Sequence, residues 1–119
     1  MSTVMIPEIF DVEINGSEYT FEFTRKAIKD ADQMGVMDVT STLKRAEIIF
    51  YAGLQKHKPD ITPNLARKIL YSAIGEGDAA GEYKLADFNP IFDEFSRWAM
   101  EVFAGTGEKK IVSRRSQAN

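Results

Sequence analysis

The N-terminal part of the fold is decided by residues 10–23, which have the sequence FDVEINGSEYTFEF. Apolar and polar residues alternate on both sides of a central Asn15-Gly16 pair, and such alternation is typical of strands with one buried face. Asn-Gly is the favoured pair for a two-residue type I′ turn, in which both residues adopt positive φ. We therefore predict a β-hairpin over about residues 8–24.

The two-residue turn also fixes which residues face each other across the hairpin. The predicted facing pairs are Ile14 with Ser17, Val12 with Tyr19, and Phe10 with Phe21. The apolar residues of both strands then share one face, as a half-buried sheet requires. Because an isolated hairpin is only marginally stable, we expect this face to pack on helices.

Four helices are predicted after the hairpin from apolar residues at helical spacing. Their approximate bounds are residues 25–35, 41–56, 63–75 and 87–104. Thr24 is the expected N-cap of the first helix, and Thr62, which precedes a proline, is that of the third. The N-cap of the second helix is one of four candidates, which are Asp38, Thr40, Ser41 and Thr42.

The last helix has the clearest apolar pattern, and we expect Gly105 and Gly107 to end it. The predicted fold is thus α+β, with a hairpin packed on about four helices in a single domain over residues 1–105. Residues 106–119 are expected to form a basic, disordered and flexible tail.

Composition and charge exclude several classes of function. The chain has no cysteine, so thiolate metal sites and disulfides are absent and a reducing compartment is expected. We find no secretion signal in residues 1–7 and no apolar run long enough to cross a bilayer. Four of the 15 basic residues but only one of the 18 acidic residues follow Gly107. The rest of the chain, residues 1–107, which we call the body, therefore carries a net charge of about −6. Such a body repels nucleic acid.

No catalytic, cofactor-binding or metal site is predicted. His57 is the only histidine, and Asp60 is the carboxylate near it in the sequence. One histidine and one carboxylate do not make a metal site without further ligands. The position of His57 at a helix end suits a cation that interacts with the helix dipole. Asp93 and Glu94 are adjacent on a helix and therefore point in different directions. We expect a protein that binds another protein and is not an enzyme.

Four residues are candidates for partner binding. Ile48 and Ile49 lie on opposite sides of the apolar stripe of the second helix, which is therefore either central in the fold or partly an interface. Trp98 lies at the edge of the apolar arc of the last helix, where large aromatic residues often anchor interfaces. Tyr71 lies on the polar side of the third helix.

Two segments resemble the tail assembly chaperones of long-tailed bacteriophages and prophages. The first is residues 48–63, IIFYAGLQKHKPDITP, in which an apolar helix ends in a His-x-Pro turn and a Thr-capped helix follows. The second is residues 19–28, YTFEFTRKAI, which resembles the family's hairpin strand running into its first helix. The likeness covers about residues 15–75.

The resemblance implies a non-catalytic protein without a cofactor in the cytoplasm of the bacterial host. Such chaperones bind the tape measure protein, recruit tail tube subunits to it and are absent from the mature virion. Self-association is a further hypothesis. The alternatives are a structural head–tail connector or tail completion subunit, and a helix-turn-helix regulator, which the acidic body disfavours.

Overall fold

The computed structural model describes residues 6–112, with side chains described through residue 103. The elements in chain order are β1 (Phe10–Ile14), β2 (Ser17–Phe21), α1 (Arg25–Gln33), α2 (Thr42–Leu54), α3 (Pro63–Ile74), a 3-10 helix (Leu85–Phe88) and α4 (Asn89–Val112). The predicted α+β class, with an N-terminal hairpin followed by four helices, is confirmed. Within the described residues, no helix is long and apolar enough to cross a membrane.

The hairpin has the predicted register. Its strands pair antiparallel, with Ile14 opposite Ser17 and Phe10 opposite Phe21. The turn residues Asn15 and Gly16 have φ values of 51° and 84°, as a type I′ turn requires. The inner face buries Ile14 and Phe21, and so the hairpin covers the helices as expected.

Side-chain oxygens cap the first three helices at their N-termini. Thr24, Ser41 and Thr62 each accept a hydrogen bond from the backbone N–H three residues later. The caps of α1 and α3 are those predicted, and Ser41 is the one used among the four candidates for α2. Each cap satisfies an N–H that has no partner inside its helix.

Helix α2 lies at the centre of the fold, where it packs against β2, α1, α3 and α4. Gly53 allows the hairpin to lie directly on this helix, because a Cβ atom there would be 2.9 Å from Cδ2 of Phe21. The backbone N–H of Glu22 also donates to the carbonyl of Gly53 at 2.9 Å. The ring of Phe21 meets that of Phe50 edge-on, with centroids 4.9 Å apart.

The last helix differs from the prediction at both ends. A short 3-10 turn precedes it, and its backbone stays helical through Val112, beyond Gly105 and Gly107. Glycine in a helix interior is unfavourable by only about 1 kcal/mol relative to alanine, and the strong helix formers in residues 108–110 follow. The predicted end near residue 104 is therefore wrong. The remainder of the predicted tail, residues 113–119, lies outside the described residues.

Candidate functional site

An open apolar groove of about 580 Å³ lies between α2 and α4, and the loop joining α1 to α2 forms a third wall. Ala46 and Ile49 of α2 line it on one side, and Phe92, Phe95 and Ala99 of α4 line it on the other. These α4 residues recur at helical spacing, so they form a continuous apolar stripe. The apolar lining of the groove is of the kind that receives the apolar face of a helix.

Two exposed methionines line the groove. Met37, in the α1–α2 loop, is 53% exposed, and Met100 of α4 is 72% exposed. Methionine side chains are flexible and polarizable, and they adapt to partners of varied shape. Exposed apolar residues beside an apolar groove are typical of a surface that binds another chain.

The polar residues of the groove carry little net charge. Arg45 and Asp93 contribute one cation and one anion, and Ser96 contributes a hydroxyl. The guanidinium of Arg45 donates to the carbonyl of Val39 at 2.8 Å, so it fastens the loop to α2. The Ser96 hydroxyl donates to the carbonyl of Phe92 within α4. The surface of the groove is therefore mainly apolar and close to neutral.

Three of the four candidates for partner binding are not exposed. Ile48, Ile49 and Trp98 are buried in the core. Although the two isoleucines lie off the apolar stripe, both are buried because several other elements surround α2. Of the three residues, Ile49 alone lines the groove. The indole Nε1 of Trp98 donates to Oε2 of Glu94 at 2.9 Å, so Trp98 is anchored within the protein.

Tyr71, the fourth candidate, is half-buried and connects α3 to α2. Its hydroxyl donates to Oε2 of Glu47 at 2.9 Å, and the Arg67 guanidinium lies 6.0 Å from its ring centroid. Burial, together with the bond to Glu47, raises the pKa of Tyr71. The structure gives Tyr71 an internal contact and does not bring it to the groove.

A cluster of two bases around the buried carboxylate of Glu22 was missed by the sequence analysis. The strand pattern predicts an exposed Glu22, but this residue is only 5% exposed. The ammonium of Lys56 lies 2.6 Å from one of its oxygens and Nε2 of His57 lies 2.8 Å from the other. Hydrogen bonds from Lys56 and then His57 hold the pKa of Glu22 below its usual value. No periodic pattern connects residues so distant in sequence.

A second buried carboxylate, Glu94, fastens the N-terminal segment to α4. Its oxygens accept hydrogen bonds from the side chains of Arg97 and Trp98 and from the backbone N–H of Glu8. Arg97 also donates to the carbonyl of Ile6 at 3.0 Å. Burial opposes ionisation of Glu94, but the donors outweigh it and hold the pKa below its usual value. Asp93, the adjacent acid, lines the groove instead.

The two clusters have the chemistry of structural anchors. Each carboxylate already accepts several hydrogen bonds, so neither is poised to move a proton to or from a substrate. In the described part of the chain, no three His, Asp or Glu side chains lie close enough together to hold a metal ion.

The chain has no significant match among protein-family models, curated proteins or solved structures. The candidate site is therefore assigned from its own geometry and chemistry. On that basis the apolar groove is the strongest candidate for a functional surface.

Proposed function

We propose that this chain is a non-catalytic assembly chaperone that holds an apolar helix of a client protein in the groove between α2 and α4. The observation that carries the proposal is the pair of exposed methionines, Met37 and Met100, beside an open apolar groove. Helix-in-groove binding uses this arrangement, in which a client helix inserts apolar residues at helical spacing. Methionine-rich surfaces tolerate clients of different sequence.

We further propose that the client is a phage tape measure protein, to which the chaperone recruits tail tube subunits. This identification rests on the resemblance of residues 19–28 and 48–63 to tail assembly chaperones. A chaperone for long apolar helices needs accessible apolar surface, and the rest of the protein must keep the complex with its client from aggregating. The net charge of about −6 before the basic segment serves that purpose. The proposed location is the host cytoplasm, with release before the virion is complete.

Co-expression with phage tape measure and tail tube proteins tests the proposal. We expect a tape measure fragment that is insoluble alone to be recovered in the soluble fraction as a complex with this chain. Failure to bind either protein, together with a discrete ring of this chain in solution, would overturn the proposal and support a head–tail connector or tail completion subunit.

A matched pair of variants connects that result to the groove. Ser96 and Ser72 are both exposed, and the hydroxyl of each donates to a carbonyl within its own helix. Only Ser96 lines the groove. We expect Ser96→Trp to block client recovery and Ser72→Trp to leave it unchanged.

A further inference from the structure

The outer edge of β1 has no strand partner in the described part of the chain, where the sheet consists of β1 and β2 alone. Near the turn, the Tyr83 hydroxyl donates to the carbonyl of Glu13. Toward the start of β1 a hollow of about 430 Å³ borders the edge, and its lining includes the apolar residues Ile9, Pro90 and Ile91. An unpaired edge beside a partly apolar hollow is suited to binding an extended peptide.

The charge at this edge favours a basic peptide. Asp11, Glu13 and Asp87 line the hollow, and no lysine or arginine does. Glu13 also faces Glu18 directly across the hairpin, and facing like charges destabilise a strand pair. A cationic ligand would relieve this repulsion.

The chain itself contains a segment of the required charge. Its basic residues after Gly107 are Lys109, Lys110, Arg114 and Arg115, against the single acid Glu108. The remainder of the chain carries a net charge of about −6, so this segment is complementary to the body and to the β1 edge in particular.

The length of α4 prevents this segment from reaching the β1 edge of its own chain. Pro90 and Ile91, in the first turn of α4, line the hollow, whereas Val112, the last described residue, lies about 32 Å further along the helix at 1.5 Å per residue. Three extended residues from Val112 to Arg115 add at most about 10 Å. The contact must therefore form between two copies.

We propose that the β1 edge binds the basic segment around Arg114 and Arg115 of a second copy, so that copies associate head to tail. We propose a single such contact between neighbouring copies, which leaves one edge and one basic segment free at the two ends and therefore generates open chains or rings. The β1 hollow shares no lining residue with the α2–α4 groove. The inference therefore goes beyond the proposed client binding and does not depend on it.

Sedimentation velocity of the full chain with two neutralised variants tests this inference. The edge variant carries Asp11→Asn and Glu13→Gln, and the tail variant carries Arg114→Gln and Arg115→Gln. We expect the mass of the wild-type chain to rise with concentration beyond twice the monomer mass of 13.4 kDa, and both variants to stay monomeric. A control with the exposed Asp32→Asn and Asp38→Asn should behave as wild type. Circular dichroism checks that each variant is folded.

Mixing the edge and tail variants in equal amounts gives the decisive result. The edge variant keeps an intact basic segment and the tail variant keeps an intact edge, so we expect the mixture to stop at a heterodimer. A wild-type chain that stays monomeric at every concentration would overturn the inference. Variants that assemble as the wild type does would also overturn it.

Discussion

The imidazole Nε2 of His57 lies 2.8 Å from Oε1 of Glu22 and so joins the turn after α2 to the residue that follows β2. Lys56 contacts the other carboxylate oxygen at 2.6 Å. The side chains of the two bases are 50% and 40% exposed, whereas that of Glu22 is 7% exposed. Loss of the two bases would therefore leave Glu22 as a buried charge without its partners, whereas loss of Glu22 would leave two bases that are still in contact with solvent.

Removing both bases is expected to destabilise the protein more than removing either one. Lys56→Met or His57→Ala alone should lower the free energy of unfolding by about 0–1 kcal/mol, because each base is well exposed to solvent. The double variant leaves a buried carboxylate without a side-chain donor and should lose about 1–3 kcal/mol. Urea unfolding measures these values. A double variant as stable as the single variants would contradict this role of Glu22.

The stability of the protein should fall in acid because the pKa values of Glu22 and Glu94 are both lowered by folding. The unfolded chain binds protons at the ordinary glutamate pKa of 4.5, and the folded chain binds them only at lower pH. The stabilisation is therefore complete above that pKa and is lost as pH falls through the lowered values. Urea unfolding across this range should show the loss. A Glu22→Gln, Glu94→Gln variant should show a flatter pH dependence, and an unchanged slope would contradict the assignment.

Glu94 and its neighbour Asp93 form a matched pair for mutation. Glu94→Ala removes the acceptor of the buried Trp98 N–H and of the Glu8 N–H, so it should lower the free energy of unfolding by about 1–3 kcal/mol. Asp93→Ala changes an exposed residue and should shift that free energy by less than about 0.5 kcal/mol. Thermal unfolding followed by Trp98 fluorescence distinguishes them, and equal effects would count against the anchoring role of Glu94.

Gly53 is expected to resist substitution although it lies inside a helix. Alanine there would gain about 1 kcal/mol of helix propensity, but its Cβ would lie 2.9 Å from the Phe21 ring and 3.2 Å from that of Phe23. Overpacking of a well-filled core costs about 1–3 kcal/mol, so we expect net destabilisation of Gly53→Ala in urea unfolding. A stabilised variant would show that the hairpin can move away from α2.

The hairpin and the first three helices could be predicted from the sequence because local signals determine them. Asn15-Gly16 fixes the strand register, and Thr24 and Thr62 fix the starts of two helices. The end of α4 was missed because Gly105 was interpreted as a stop, whereas helical backbone continues through it.

The candidate site could not be predicted in the same way, because it depends on how distant elements pack. The Ile48 and Ile49 side chains are buried because four elements surround α2. The groove combines Met37 of a loop with Met100 of α4, and the Glu22 cluster joins residues on separate elements. None of these contacts follows from the spacing of residues along one helix or strand.

Nuclear magnetic resonance of the methionine methyl groups tests the groove most directly. The chain has five methionines, of which Met37 and Met100 line the groove. Spectra of the wild-type chain, labelled at the methionine methyls, would be recorded with and without a soluble apolar helical fragment of the proposed client, a phage tape measure protein. We predict that the Met37 and Met100 signals shift on binding and that Ser96→Trp, but not Ser72→Trp, abolishes the shift. Binding that leaves both signals unchanged would contradict the groove as the client site.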